Sequence, residues 1–185
     1  MPEVKATSFV ELYGAYARHV YRFALYLSGD TALAQDITSE TFLRVWLAEQ
    51  PVRLGSVKAW LFVIARNLYR HELRRLRRTT PLDPAMHAAD SVSANLETSL
   101  ETSLETRLEA KEKLARVLKA LAALPEVDRF ALLLRVVEGL SYTQIAAALH
   151  ISLAAAKVKV HRARLRLAAQ GLGANDDEHI ERRHS

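Results

Sequence analysis

The sequence predicts an all-α protein: two small helical domains joined by a flexible linker, the C-terminal one containing a helix-turn-helix. Three observations carry that expectation. Strong helix formers dominate and glycine is scarce, with 6 in 185 residues, and no stretch sustains the two-residue alternation of a half-buried strand. Apolar residues recur instead at three- and four-residue steps in segment after segment. At Thr79 the composition changes to prolines and small residues without a period, which reads as a linker.

The first helix is expected over residues 7 to 28, where Phe9, Leu12, Tyr13, Tyr16, Val20, Phe23, Ala24 and Leu27 keep helical spacing. Ser28-Gly29-Asp30 ends it, and Asp30 or Thr31 caps a second helix running to about Glu49. Leu33, Ile37, Phe42, Val45 and Trp46 form the apolar face of that helix; Gln35, Asp36, Ser39, Glu40 and Arg44 form its polar face. Proline and glycine make residues 50 to 56 a loop, and Ser56 caps a third helix from Val57 to about Arg78.

The third helix is unusual in its charge. Leu61, Ile64, Ala65 and Leu68 form the expected buried stripe, while Arg66, Arg70, Arg74, Arg77 and Arg78 descend another side with Glu72 as the only acid. Trp60, Phe62 and Tyr69 are interleaved with them. Rings beside guanidinium groups suit unpaired nucleic acid, whose bases stack and whose phosphates take up positive charge. Each aromatic taken singly also fits a plain core position.

Beyond the linker, leucines recur every four residues in Leu96-Glu-Thr-Ser, Leu100-Glu-Thr-Ser and Leu104-Glu-Thr-Arg. On an α-helix such a repeat drifts by about 40° per step, so the helix is expected to become firm near Leu104. It continues through Leu108, Leu114, Leu118 and Leu121 to about Ala123, where Leu124-Pro125 breaks it. A leucine- and valine-rich buried helix follows over Glu126 to Val137.

The most informative stretch comes next. Gly139 stops the preceding helix, Ser141 and Gln144 have the spacing of a capping box, and Ile145, Ala146 and Leu149 make one apolar face. His150-Ile151-Ser152 is a tight break, and Ser152 caps a helix from Leu153 to about Ala169. Leu153, Ala156, Val160, Ala163 and Leu167 fall on one side of it; Lys157, Lys159, His161, Arg162, Arg164 and Arg166 occupy the rest, without an acid. A basic helix held against a short capped partner is the recognition element of a helix-turn-helix, placed to meet phosphates and base edges. The competing reading is an amphipathic core helix with a solvated basic side. After Gly171 the tail is polar and expected to be disordered.

The domains expected are therefore residues 7–78, a linker over 79–103, a helix-turn-helix domain over 104–170 and a tail over 171–185. Net charge is +5, which favours an anionic partner. The absence of cysteine excludes disulfides and thiolate metal sites. No apolar run approaches the roughly 20 residues of a bilayer span, and Pro2-Glu3-Val4-Lys5 does not open a secretory leader. The expectation is a cytoplasmic chain. Catalytic signatures are lacking: there is no glycine-rich phosphate loop, and the 7 histidines are scattered. Asp36 and Glu40 lie one helical turn apart and could act as an acid–base or metal pair; an acidic docking or solvated face is the reading preferred. No enzyme activity, cofactor, metal or small-molecule substrate is expected.

The stretches Asp36-Ile-Thr-Ser-Glu-Thr-Phe-Leu-Arg-Val-Trp46 and Ala59-Trp-Leu-Phe-Val-Ile-Ala-Arg-Asn67, leading to Arg74-Arg75, resemble the second conserved region of extracytoplasmic-function (ECF) sigma factors. Leu124-Pro-Glu-Val-Asp-Arg-Phe-Ala-Leu-Leu-Leu-Arg135, Glu138-Gly-Leu-Ser-Tyr142 and His161-Arg-Ala-Arg164 resemble the fourth. The resemblance spans residues 8–170 in the family's order. It implies a bacterial transcription initiation factor that binds core RNA polymerase and directs it to promoter DNA. By the resemblance, Asp36, Glu40 and Arg44 dock on the clamp helices of the largest polymerase subunit. Arg53, in the loop of residues 50 to 56, and Lys58, Trp60, Arg66, Asn67, Arg70 and Arg74 meet the melted minus-10 element, where a base can be captured outside the stack. Lys157, Val158, Lys159, His161, Arg162 and Arg164 align with the readers of the minus-35 element. An anti-sigma factor, often membrane-bound in that family, is implied as a further partner.

The chain departs from the family pattern in the helix-turn-helix. His150 stands where glycine is usual, and histidine tolerates left-handed geometry better than most residues. Ala154-Ala155-Ala156 replaces Gly-Thr-Val, and Val158 replaces a serine. Base reading then becomes apolar at these positions, as toward a thymine methyl, or leans on DNA shape. A stand-alone helix-turn-helix regulator is the alternative; it requires a dimer matched to a palindrome, and no dimerisation helix is evident.

Overall fold

The computed structural model describes residues 9–48, 56–79 and 104–172. These hold seven α-helices: α1 (Phe9–Ser28), α2 (Thr31–Leu47), α3 (Val57–Thr79), α4 (Leu104–Ala122), α5 (Glu126–Val136), α6 (Tyr142–Leu149) and α7 (Leu153–Ala168). No strand occurs among the described residues. The expected loop around Arg53, the linker from 80 to 103 with its first two leucine repeats, and the tail beyond Leu172 lie outside them.

Local chemistry sets the helix ends. Ser28 Oγ donates to Ala24 O (2.8 Å), Gly29 turns at φ 69°, and Asp30 Oδ1 accepts from Leu33 N (3.0 Å), so Asp30 rather than Thr31 caps α2. At α3 the Ser56 hydroxyl accepts from Ala59 N at 3.4 Å. Each such cap satisfies an orphan donor and is worth about 1 kcal/mol.

Helices α1, α2 and α3 pack on one another, and α5, α6 and α7 form a second three-helix group. The two groups touch: α4 packs along α1, α6 meets α3, and α5 meets α1. One apolar core runs through both. Val20, Phe23, Leu27, Ile37, Phe42, Leu61, Phe62 and Ala65 belong to its first part; Phe130, Leu133, Leu134, Ile145, Leu149, Ala156, Val160 and Ala163 belong to its second. Phe130 joins them, with its ring centroid 6.4 Å from Phe23 and 6.1 Å from Tyr69.

Most of the expected apolar stripes are buried, but their ends are not. Trp46 is 66% exposed although it shares the apolar face of α2. It lies in the last turn of α2, where the Phe9 ring meets it edge-on at 5.0 Å. Leu153 and Leu108, near the starts of α7 and α4, are also exposed. No described helix is long and apolar enough to cross a membrane.

Candidate nucleic-acid interface

The helix-turn-helix is built by three local devices. Ser141 and Gln144 form a complete capping box at α6: Gln144 N donates to Ser141 Oγ (3.2 Å), and Ser141 N donates to Gln144 Oε1 (2.9 Å). His150 then takes the left-handed conformation, φ 55° and ψ 47°, and its N–H returns to the carbonyl of Ala147 at 3.3 Å. Ser152 Oγ accepts from Ala155 N (3.1 Å) to start α7. The small buried Ala146, Ala148 and Ala156 let α6 and α7 approach closely.

At about 100° per residue, α7 has three longitudinal faces. Ala156, Val160 and Ala163 are buried against α5 and α6. Lys159, Arg162 and Arg166 lie on a flank that converges on Asp128 of α5, at 3.5, 3.8 and 3.2 Å. The Asp128 side chain is only 3% exposed, so the three cations share one enclosed carboxylate. Lys157, Val158 and His161 lie outward and are exposed, together with Ala154 and Leu165. Arg164, on the edge of this face, is half-buried and engaged in a contact of its own.

Within its own stretch of sequence α7 has no acid beside its cations. Asp128 supplies one from another helix, and it splits the expected minus-35 set into an outward group and a group tied to the fold. The sign that could have found it is the pair of charges Asp128-Arg129 directly before the apolar run Phe130–Leu134 of α5.

A second divided surface lies on α3. Asn67 and Arg74 are exposed, and Arg74 Nε donates to Arg70 O at 3.2 Å. Trp60 is half-buried. Lys58, Arg66 and Arg70 all contact the C-terminal group, although Arg70 also remains exposed. Lys58 Nζ donates to the Glu138 carbonyl oxygen at 2.6 Å and stands 3.3 Å from its carboxylate. The Arg66 guanidinium lies 5.0 Å from the Phe130 ring centroid. Burial and the neighbouring Arg70 lower its pKa from the ordinary value, against the opposing pull of Glu126. Arg70 Nε and Glu126 Oε1 are 3.0 Å apart, an ion pair without hydrogen-bond alignment. Arg53 lies outside the described residues.

On α2, Asp36 is exposed, and Arg44 Nε donates to Glu40 Oε1 at 2.8 Å. Leu43 and Leu47 fall on the same helical face as Asp36 and Glu40 and are 50% and 66% exposed. Sequence spacing did not single out these two leucines. Their signal was present: they sit on the polar side of an amphipathic pattern, where a leucine has no core to fill. Among the described residues no group of three or more histidine or carboxylate side chains could hold a metal ion, and Asp36 and Glu40 belong to none.

Comparison with known proteins follows this division. The profile of sigma-70 region 2 matches residues 12–79 and that of sigma-70 region 4 matches residues 114–167. The ECF RNA polymerase sigma factor SigM of Bacillus subtilis is 32% identical over 168 residues, covering 90% of this chain and 98% of SigM. The ECF RNA polymerase sigma factor SigE of Mycolicibacterium smegmatis is 34% identical over 160 residues, 86% of this chain and 60% of SigE. Among solved structures, RpoE from Bartonella quintana in complex with the anti-sigma factor NepR superposes with a TM-score of 0.68 at 28% identity, covering 87% of this chain and 94% of RpoE.

Proposed function

We infer the function of this chain from one premise: it belongs to the extracytoplasmic-function family of RNA polymerase sigma factors. It is a transcription initiation factor that joins core RNA polymerase and directs it to promoters. Residues 7–78 form the domain for polymerase docking and the minus-10 element, residues 104–170 the domain for the minus-35 element, and residues 79–103 the connection between them, followed by a tail over 171–185. The protein has no catalysis of its own and acts in the cytoplasm. That RpoE was crystallised with NepR supports an anti-sigma factor as a partner here.

The observation that carries the reading is the outward face of α7. Lys157, Val158 and His161 stand exposed on a helix whose other faces are held by the core and by Asp128. In the major groove, Lys157 and Arg164 meet phosphates or guanine edges, His161 a base edge or phosphate, and Val158 a thymine methyl. Lys159 and Arg162 add field at the flank while fixing α7 to α5. On α3, Asn67 and Arg74 with Trp60 contact the unpaired minus-10 strand, and Lys58, Arg66, Arg70 and Arg53 complete that surface. The face of Asp36, Glu40, Leu43 and Leu47, with Arg44 at its edge, docks on the polymerase: exposed leucines among charges are what an interface core with a polar rim requires.

Reconstitution with core polymerase tests this. The chain should confer promoter-specific transcription on core enzyme, and failure to form a complex with it overturns the reading. Replacing Leu43 and Leu47 together with alanine should weaken the complex by about tenfold to a hundredfold, the loss of 1–3 kcal/mol typical of interface anchors, with unchanged helical circular dichroism.

A further inference from the structure

We propose that the C-terminal group of helices is a built-in occupant of the α3 surface: Phe130 takes the place of a base, Glu126 and Glu138 take the place of phosphates, and closure of the two groups excludes promoter DNA from α3. The proposal rests on the reading that α3 contacts the minus-10 strand.

The seam is made of the groups such a strand would need. The Glu138 side chain is fully enclosed, and the N-terminal group surrounds it with His19 Nδ1 at 3.0 Å, Arg22 Nη2 at 3.4 Å and Lys58 Nζ at 3.3 Å. Arg22 also donates to the Val137 carbonyl oxygen at 3.1 Å. A ring of donors around one anionic oxygen pair is also how a protein holds a phosphate. Twelve residues earlier, Glu126 faces Arg70. Between the two acids, Phe130 is enclosed by Arg66 over its face, the edge of Tyr69 at 81°, and Phe23. Stacking rings and a guanidinium plane are the surfaces that receive an unstacked base.

The same seam is imperfectly satisfied. Arg22 Nε, Arg66 Nε, Arg129 Nε and Glu126 Oε1 are buried without a hydrogen-bond partner in the protein. All four lie where the two groups meet. A buried polar atom left unpaired costs free energy that hydration restores. Opening therefore recovers hydration for these atoms, set against the loss of the ring contacts that Phe130 makes with Phe23 and Tyr69. The closed form is poised to yield to a ligand that offers phosphates and bases in better register, or to a partner that pulls the groups apart.

The absence of cysteine makes the test direct. Ser39→Cys and Gln170→Cys place a fluorophore pair on the exposed surfaces of α2 and the end of α7 for energy transfer in the full-length chain. Glu138→Lys puts a cation beside Arg22 and Lys58, and transfer efficiency should fall with helical circular dichroism unchanged. Glu138→Gln, which keeps the size, should give a smaller fall. Affinity for a single-stranded oligothymidine should rise about tenfold in Glu138→Lys. It should stay within twofold in Glu112→Lys, which makes the same charge change on the exposed side of α4. Parental transfer efficiency in both Glu138 variants overturns the closure, whatever α3 binds. A fall in transfer without a gain in affinity over Glu112→Lys overturns the competition. Adding Asn67→Ala and Arg74→Ala to Glu138→Lys should lower oligothymidine affinity. If it does not, the reading of α3 as a DNA surface has failed, and the competition with it, while the transfer data still decide the closure.

Discussion

His150 sits at φ 55° in the turn between α6 and α7, the one non-glycine residue with positive φ among those described. Its Cβ crowds the following carbonyl, a cost of about 1–2 kcal/mol that glycine does not incur. Replacing His150 with glycine should therefore raise thermal stability, by about 1 kcal/mol or 2–4 °C for a chain of this size. A β-branched His150→Val should lower it by a similar or larger amount, and differential scanning calorimetry distinguishes the two. Asp128 is the residue whose effect reaches furthest. Enclosed beneath Lys159, Arg162 and Arg166, it fixes which side of α7 turns outward. The caps at Asp30, Ser141 and Ser152 were legible in the sequence because each depends on residues within three positions of itself. Asp128 was not, because its partners lie more than thirty positions away and nothing local shows that a carboxylate on α5 will face α7.

Among the elements, α7 makes the most quantitative demand. A helix that neutralises phosphates loses affinity as salt rises, with a slope near −0.9 per neutralised charge. Composition alone counts Lys157, Lys159, Arg162 and Arg164 as four contributors. The ion pairs with Asp128 change that sum, since a cation already paired displaces fewer counterions. Lys157→Ala should reduce the magnitude of the slope by about one, and Arg162→Ala by about half as much, in titrations on duplex promoter DNA with core enzyme present. Equal changes for both would mean that the Asp128 contact dissolves on binding. The helices α2 and α3 show the limit of periodicity. It correctly separated apolar from polar faces, and Leu61, Ala65 and Leu68 are buried as expected. It does not tell how much of a helix face its neighbours leave open, and Trp46 is exposed. Nor does it tell which charged residues a neighbour from the other half of the chain will engage, as it does Lys58 and Arg66.

For the whole molecule, the division into two basic helical units was visible in the sequence as two motif sets separated by a prolyl stretch. How the units meet was not. Their contact is made by Glu138, Phe130 and Tyr69 with cations far away in the sequence, and no spacing rule reports such a pairing. The packing of α4 is the clearest instance. By order along the chain it belongs with the C-terminal half, yet it lies along α1.

That placement has a consequence for the severed protein. Non-covalent contacts of α1 with α4 and α5, and of α3 with α6, hold the halves together independently of the peptide that joins them. A protease site engineered between residues 79 and 104 should accordingly yield two fragments that co-elute on gel filtration as a single particle at low salt and part company in molar sodium chloride. Fragments made separately should find one another when mixed, so that a bisected initiation factor reassembles without its bridge.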